Sequence, residues 1–484
     1  MYLEAGQAAR AGNQTQLAIK YLKRAALLLG EDDEKQFGLQ DALENMYRML
    51  GRRRERTKHL EALRRAARRA GTSRAVCTAL LRTARFDLDE GRLAHGLPIA
   101  KKGAELAHNA AIPQLEVEAE ALVSELQREL GDVQDALAAC DRALAACDPA
   151  VNPSMPPRLR AEVLRSQGVL LRRVGRVREA MDAHIEAIAV FRRTGARRLE
   201  ARAKNSLAFA LFVQGRWEDA IALAVDAIQI DLSIGGRFQI ANTLTNIGHA
   251  YAKLGDSPRA QAYLKRSRET HERYGDQDNR ADTLIVSAEV MMEENRLDEA
   301  EVFLRDAAAL NEATHNAYST THAGVVQAAL SLMRRDPKAA IIQAMEARRA
   351  AEDHTLVSFH FYGLALEAVA RVDAGETHSG TLLATTALGV VETLQGCEYG
   401  LDIRVLCADA LKRSGSPQAP LAAQRATDFA EALHGSIRDP RLRKLFVQRP
   451  IVASLVDTTP APISDRQPTN APVVVGENVG SSGD

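Results

Sequence analysis

Small and large apolar residues recur along this chain in blocks that fit helices packed in pairs. Within residues 201–255 the small positions are Ala208, Ala220 and Ala227. The same positions are small forty residues earlier and forty residues later, as Gly168, Ala180 and Ala187 and as Gly248, Ala260 and Ser267. Small side chains let two helices approach closely, and larger ones such as Leu211 and Tyr251 fill the space beside them. The pattern predicts an internal repeat of helical hairpins.

Each predicted hairpin carries a turn signal between its two helices. The turn residues are Gly12, Gly51, Gly91, Gly131, Gly175, Gly215, Gly255, Asn295, Arg335, Gly375 and Gly415. Glycine, and after it asparagine, suits the left-handed conformation that ends many helices. Arg335 departs from this rule, but Asp336 and Pro337 behind it still predict a helix end and a new helix start. A second series, Gly195, Gly235 and Gly275, predicts the return turn to the next hairpin.

The register of the repeat slips once, between Gly131 and Gly175, where the spacing is forty-four residues instead of forty. The segment DPAVNPSMPP lies there, and its prolines exclude a helix interior. The chain after residue 457 is rich in Pro, Gly and Ser. We therefore expect N-terminal repeats over 1–148, a proline-rich loop over 149–158, regular forty-residue repeats over 159–435, a C-terminal capping helix over 436–457 and a disordered tail over 458–484.

Length and composition favour an extended stack of helices. A chain of 484 residues exceeds one ordinary globular core, and a repeated unit of this size suits a stack in which each unit contacts its neighbours. Aromatic residues make up only 4% of the chain, which suits close helix packing through small side chains. The predicted fold class is all-α, a right-handed α-solenoid of about eleven helical hairpins.

Charge and motifs exclude several kinds of chemistry. The chain has 63 basic and 63 acidic residues, so its overall charge does not favour nucleic acid or an anionic membrane. Five cysteines lack metal-ligand spacing and are expected to be reduced thiols. The sequence has no phosphate-binding glycine loop, kinase signature, HExxH or GxSxG. We expect a cytoplasmic protein without catalytic residues, metal, cofactor or membrane span.

The repeat resembles the tetratricopeptide repeat, whose pattern places small residues at three fixed positions of a helical hairpin. The clearest copies are NSLAFALFVQGRWEDAIALAVDAI and TNIGHAYAKLGDSPRAQAYLKRS, and the resemblance extends over about residues 2–435. The forty-residue period is similar to the long-helix variant of kinesin light chains and of bacterial signal-transduction ATPases. A HEAT repeat is the alternative, and the small positions and the GRWEDA turn argue against it.

Both ends of the repeat region also resemble a known arrangement. Residues 2–29 and 433–455 are similar to the first and last segments of the repeat arm in bacterial regulators that join a protein kinase or adenylate cyclase to an AAA-type ATPase. That resemblance implies that the catalytic domains would lie upstream of Met1. The chain would then be the regulatory arm of such a regulator.

The tetratricopeptide resemblance also implies a binding surface, because the first helices of the hairpins line the concave face in that family. By register these positions are Arg165, Arg172, Arg202, Asn205, Phe209, Asn242, Asn246, His249 and Lys253. Mixed polar and aromatic side chains suit an extended peptide or a partner helix. We therefore expect a protein-interaction scaffold or sensor arm of a bacterial signalling protein, with a protein or peptide partner.

A basic stripe defines one further hypothesis. The segment 52–74 holds ten basic and two acidic residues, and Arg64, Arg65, Arg68 and Arg69 fall along one helix edge. Such a stripe could bind nucleic acid. No aromatic residues interleave for base stacking, so a solvated outer face is the favoured interpretation.

Overall fold

The computed structural model describes residues 1–11, 15–29, 33–50, 52–235, 240–274, 276–314 and 316–456. Regular structure in these residues is entirely helical, which confirms the predicted all-α class. The helices are α1 (Tyr2–Ala11), α2 (Thr15–Leu28), α3 (Asp33–Met49), α4 (Arg53–Ala70), α5 (Ser73–Asp89), α6 (Leu93–Asn109), α7 (Pro113–Leu130), α8 (Val133–Ala146), α9 (Pro157–Arg173), α10 (Val177–Arg193), α11 (Arg197–Val213), α12 (Trp217–Ser233), α13 (Ile240–Lys253), α14 (Ser257–Tyr274), α15 (Gln277–Glu293), α16 (Leu297–Thr314), α17 (Ala317–Met333), α18 (Pro337–Asp353), α19 (Val357–Asp373), α20 (Thr377–Val391), α21 (Gly400–Arg413), α22 (Ala419–Ser436), α23 (Pro440–Val447) and α24 (Pro450–Val456). The expected tail over 458–484 lies outside the described residues.

Consecutive helices pair from α1 with α2 through α21 with α22, so the described residues contain eleven hairpins. Odd-numbered helices also pack on one another, as α9 does on α11 and α13 does on α15, and they form the inner layer. The even-numbered helices up to α22 form the outer layer. The predicted α-solenoid of about eleven hairpins is confirmed.

The small residues are needed because the helices of a hairpin approach closely. Ala208 and Ala260 are buried. A Cβ atom added to Gly248 would lie 2.8 Å from Cγ of Leu264 on the facing helix, which is closer than van der Waals contact allows. The position therefore accepts no larger side chain without displacement of its neighbour.

The turn residues adopt the left-handed conformation at every predicted position that the structure describes. Gly91, Gly131, Gly175, Gly215, Gly255, Asn295, Arg335, Gly375 and Gly415 all have positive φ. Arg335, with φ of 59°, makes the same turn as the glycines, and Asp336 caps α18 by accepting a hydrogen bond from the backbone N–H of Ala339. Gly195 and Gly235 make the return turns. Gly12, Gly51 and Gly275 lie outside the described residues.

The superhelix winds until hairpins far apart in sequence meet. The backbone N–H of Arg178 donates to Oε1 of Gln395 at 3.1 Å, and the backbone N–H of Arg438 donates to Oε2 of Glu218. These residues are 217 and 220 positions apart in the chain. The inner layer is therefore closed into a channel by contacts between successive turns of the superhelix.

Two longer connections interrupt the regular stack. The proline-rich connection between α8 and α9 is fixed by Asn152, whose Nδ2 donates to the carbonyl oxygen of Ala146 at 2.8 Å. The connection between α20 and α21, residues 392–399, runs into the channel, and we call it the crossing loop. Its Tyr399 is buried and its Gly396 lies against the backbone of α11. None of the described helices is long and apolar enough to cross a membrane.

Candidate functional site: the inner channel

A cavity of about 690 Å³ lies inside the superhelix, lined mainly by the inner helices α5, α7, α9, α11, α13, α15 and α17 and by the crossing loop. Seven of the nine residues expected on the concave face line this cavity: Arg172, Arg202, Asn205, Phe209, Asn242, Asn246 and His249. The reason is helical register, because residues three, four and seven positions apart share one face of a helix. Arg165 lies beside this cavity and Lys253 lies in a second one, as described below.

Two asparagine pairs join neighbouring inner helices along the wall of the cavity. Nδ2 of Asn246 donates to Oδ1 of Asn205 at 3.0 Å, which links α13 to α11. Nδ2 of Asn242 donates to Oδ1 of Asn279 at 2.9 Å, which links α13 to α15. A carboxamide offers two N–H donors and an acceptor oxygen with two lone pairs, so each pair keeps unused donors and acceptors. The wall therefore presents amide chemistry from three successive helices.

Arginine and aromatic side chains form the part of the wall contributed by α9 and α11. The guanidinium of Arg172 lies over the ring of Phe209, 4.4 Å from its centroid, which is a cation–π geometry. Arg202 lines the cavity from α11. Arg165 lies beside it on α9, where burial and the charge of Arg202 lower the pKa of its guanidinium to about 9. This end of the channel carries positive charge.

The crossing loop inserts Tyr399 among buried polar groups on α15 and α17. The hydroxyl of Tyr399 donates to Oε1 of Glu289 at 2.8 Å, so Nε2 of His322 is the donor in its 2.8 Å hydrogen bond to the same hydroxyl. His249 Nε2 lies 3.5 Å from Oε2 of Glu289. The ring of Tyr399 stacks on Tyr362 with centroids 4.0 Å apart.

Electrostatics in this cluster hold Glu289 ionised. Burial acts to raise the pKa of Glu289, but His322, whose Nε2 lies 3.7 Å from Oε2 of Glu289, and the charge of Lys253 outweigh it and hold that pKa well below its usual range. Burial acts to lower the pKa of His322, and the Glu289 carboxylate reverses the effect and raises it. Burial lowers the pKa of His249 to about 3, so its imidazole is neutral.

Lys253 faces a second cavity, of about 230 Å³, beyond the crossing loop. Met292, Val326 and Leu366 are among its apolar lining residues, and Pro450 and Ile451 of the C-terminal segment complete the wall. The Lys253 ammonium lies 4.7 Å from the centroid of the Tyr399 ring and 3.9 Å from Oδ2 of Asp402. His249 lines both cavities, so Lys253 shares the second cavity with one of the other predicted residues.

Comparison with known proteins agrees with this architecture. Residues 201–230 and 239–313 match family models described as tetratricopeptide repeat. The crystal structure of a Rap protein complexed with competence and sporulation factor is similar, with a TM-score of 0.57 and 14% identity over 74% of this chain and 99% of that chain. The fold is a tetratricopeptide-like solenoid.

A second solved structure has the same kind of fold. The crystal structure of NprR in complex with its cognate peptide NprX matches with a TM-score of 0.52 and 13% identity, over 72% of this chain and 99% of that chain. At these identities the likeness concerns the fold alone. No curated protein matches this tetratricopeptide-like sequence significantly.

The basic stripe on α4 has a mixed environment. Arg64, Arg65, Arg68 and Arg69 are exposed on the outer side of the tetratricopeptide-like stack. Arg56, earlier in the same segment, is buried, and its Nε donates to Oε1 of Glu44 at 2.7 Å. Arg53 forms an ion pair with Glu90. Part of the positive charge in segment 52–74 is therefore used in packing, which agrees with a solvated outer face for the rest.

Several residues that line the channel were not predicted from the sequence. Among those outside the named repeat positions are Asn279, Tyr318, Glu398 and Tyr399. His322 occupies the repeat position of Asn242 and Arg173 that of Lys253, each two hairpins away. Extending the register would have found both. One feature of the sequence could have indicated the crossing loop. The forty-residue series of return turns predicts a turn at position 395, and the residue there is Gln395 and not glycine. Within the described residues no group of three or more metal-ligating side chains comes together.

Proposed function

We propose that this protein is an interaction scaffold that binds an extended peptide segment of a partner inside the channel. The observation that carries the proposal is the pair of asparagine bridges, Asn205–Asn246 and Asn242–Asn279, which repeat from helix to helix along one wall. A side-chain amide has the same donors and acceptors as the peptide backbone, so it can hydrogen-bond to a peptide of almost any sequence.

The similar solved structures support a peptide as the ligand. One is a Rap protein complexed with competence and sporulation factor, and the other is NprR in complex with a cognate peptide. The present chain shares their fold, and its inner wall is polar. Because the channel is closed by contacts between superhelical turns, a ligand within it would touch several hairpins at once.

A role in bacterial signalling belongs to the same proposal. It is supported by the resemblance of segments 2–29 and 433–455 to the repeat arm of regulators that contain a kinase or cyclase and an AAA-type ATPase. In that setting the scaffold would act on an enzyme joined to it or bound by it, through contacts of the channel. The basic stripe on α4 does not lead us to propose nucleic-acid binding, because neighbouring arginines are used in ion pairs.

A synthetic library of random heptapeptides tests peptide binding directly. The chain is incubated with the library, separated from free peptide by size exclusion, and the retained peptides are identified by mass spectrometry. We expect defined peptides to be retained, and the double variant Asn205→Ala/Asn246→Ala to bind them about tenfold more weakly or worse, because hydrogen bonds to peptide groups are lost. The exposed Asn109 provides the matched control, Asn109→Ala. Retention of no peptide by the folded wild-type chain would contradict the proposed function.

A further inference from the structure

The carboxylates at the arginine end of the channel already have cationic partners. Glu125 forms an ion pair with Arg85, and Glu129 forms one with Arg128. Asp89 lies 2.8 Å from Nη1 of Arg56. These acids therefore cannot also neutralise other arginines fully.

Four arginines around the same end have no ion pair among the described residues. They are Arg165, Arg172, Arg173 and Arg202. Arg172 and Arg173 lie over the rings of Phe209 and Tyr318, and the Nε atoms of Arg165 and Arg173 are buried without a hydrogen-bond partner. Arg202 is exposed, and the other three are half-buried. A half-buried guanidinium without a carboxylate is costly unless a negative group joins it.

Two further acids near the cluster, Glu398 and Glu162, form no ion pair with these four arginines among the described residues. Glu398 of the crossing loop is buried, and its Oε1 lies 3.9 Å from His249 rather than on an arginine. Burial raises the pKa of Glu398, although the charges of His322 and Arg172 act to lower it. Glu162, on the same helix as Arg165, forms an ion pair with Arg158 at 2.9 Å.

The positive charge of these arginines also acts on a neighbouring histidine. His184 is buried against Gly168. Burial, together with the charges of Arg165 and Arg172, lowers the pKa of His184 to about 3. The wall thus keeps a concentrated positive charge beside a cavity that also carries the asparagine pairs.

We propose that the peptide bound in this channel is acidic, and that Arg165, Arg172 and Arg202 receive one of its carboxylates while Asn205 and Asn246 hold its backbone. The inference rests on the proposed function and adds the class of ligand. A guanidinium is suited to this task because its planar N–H groups match the two oxygens of a carboxylate. The carboxylate is supplied by an aspartate or glutamate side chain or by the C-terminus of the peptide.

Two heptapeptide libraries distinguish these sources, one with a free C-terminal carboxylate and one with a C-terminal amide. If a side chain binds the arginines, both libraries give retained peptides with Asp or Glu enriched at one position. If the C-terminus binds, the amidated library gives none. In either case the double variant Arg172→Gln/Arg202→Gln is expected to bind the selected peptide at least about tenfold more weakly, as expected for loss of a charge-assisted hydrogen bond.

The control variant is Arg193→Gln, which removes an exposed arginine from the outer helix α10. It should leave affinity unchanged. Equal weakening by this control would show a general charge effect and overturn the inference. Retained peptides that show neither an acidic preference nor a need for a free C-terminus would also overturn it, while the proposed function would stand. Retention of no peptide would refute both.

A second measurement uses the chain without ligand. Arg165→Met removes a half-buried guanidinium whose Nε atom is buried without a hydrogen-bond partner, and keeps much of the side-chain volume. If the arginines are held for a ligand and not for stability, this variant unfolds at the same temperature as the wild type or a higher one. A clear fall of the unfolding midpoint, with peptide affinity retained, would assign Arg165 a structural role and contradict its place in the site.

Discussion

Buried histidines in this solenoid differ in pKa according to their neighbours. His184 and His322 are both buried imidazoles on the described helices. His322 bonds to Tyr399 and lies near the Glu289 carboxylate, which raises its pKa. Neither ring nitrogen of His184 has a hydrogen-bond partner among the described residues, and burial with the charges of Arg165 and Arg172 lowers its pKa. The two buried histidines therefore make the stability of the protein depend on pH in opposite directions.

His184 makes the protein less stable as the pH falls. Its pKa is about 3 in the folded chain and about 6.5 in an unfolded one. Between these values the unfolded chain binds a proton that the folded chain does not, so stability decreases as the pH is lowered through that window. His184→Gln should lower the dependence of the unfolding free energy on pH by up to about 1.4 kcal/mol per pH unit.

Thermal unfolding measured between pH 7.5 and 5 checks this prediction. The midpoint of the wild type should fall more steeply than that of His184→Gln. His378 is exposed, so His378→Gln is the control and should keep the wild-type dependence. Identical pH dependence for both variants would contradict the assignment.

Residues of the site were predictable where they follow the repeat and not elsewhere. Asn205, Asn246 and Phe209 were found because helical register fixes the face on which they lie. Tyr399 was not found, because it meets Glu289 across 110 positions of sequence through an irregular loop. Periodicity carries no information about such a loop, whose position is set by tertiary packing.

At the level of elements, the turns are the most regular feature of the chain. Each ends a helix with a left-handed residue, and the next N–H reaches back to close the helix, as Arg176 does to the carbonyl oxygen of Leu171 at 2.9 Å. Glycine spacing predicted these turns and hence the eleven hairpins. The return turns at Ala111 and Thr355 were not predicted, since neither is a glycine, although both have positive φ.

Two of these glycines should respond differently to the same substitution. Gly255 and Gly415 have φ of 81° and 68°, so alanine costs roughly 1 kcal/mol at either position for its backbone conformation. At Gly415 the added Cβ meets nothing within 4 Å, whereas at Gly255 it would lie 2.6 Å from the carbonyl oxygen of Leu445. Gly255→Ala should therefore destabilise the protein more than Gly415→Ala.

Unfolding midpoints and limited proteolysis measure the difference. Because Leu445 belongs to α23, Gly255→Ala should also make the C-terminal helices easier to cleave, and Gly415→Ala should not. Equal effects of the two substitutions would show that backbone strain alone determines the loss of stability. In that case α23 would not pack tightly on the turn at Gly255.

At the scale of the whole molecule, helices α23 and α24 hold the end of the superhelix to its middle. Arg449 is buried, with Nη2 donating to Oε1 of Glu293 at 2.5 Å and Nη1 to the carbonyl oxygen of Lys253 at 3.1 Å. Phe446 is fully buried beside Trp217, with ring centroids 5.6 Å apart. These contacts also bring Pro450 and Ile451 to the smaller cavity.

Trp217 is the only tryptophan of the chain and reports this contact. Arg449→Ala leaves the half-buried Glu293 without its partner and removes a buried side chain, so it should destabilise the protein. It should loosen α23 and α24 and shift the tryptophan emission to longer wavelength as water reaches the ring. The exposed Lys444 gives the control Lys444→Ala, which should leave the spectrum unchanged. Unaltered emission in Arg449→Ala would show that the helices stay docked without this anchor.

The contacts between superhelical turns also bear on how the chain folds. In an open solenoid each repeat meets only its neighbours, so folding can start anywhere and spread locally. Here residues 217 and 220 positions apart hydrogen-bond to each other, and contacts of such long sequence separation slow folding and couple distant segments. During synthesis, α10 and α12 would be complete about 200 residues before their partners across the turn emerge. Closure of the channel is therefore expected to be a late event in folding.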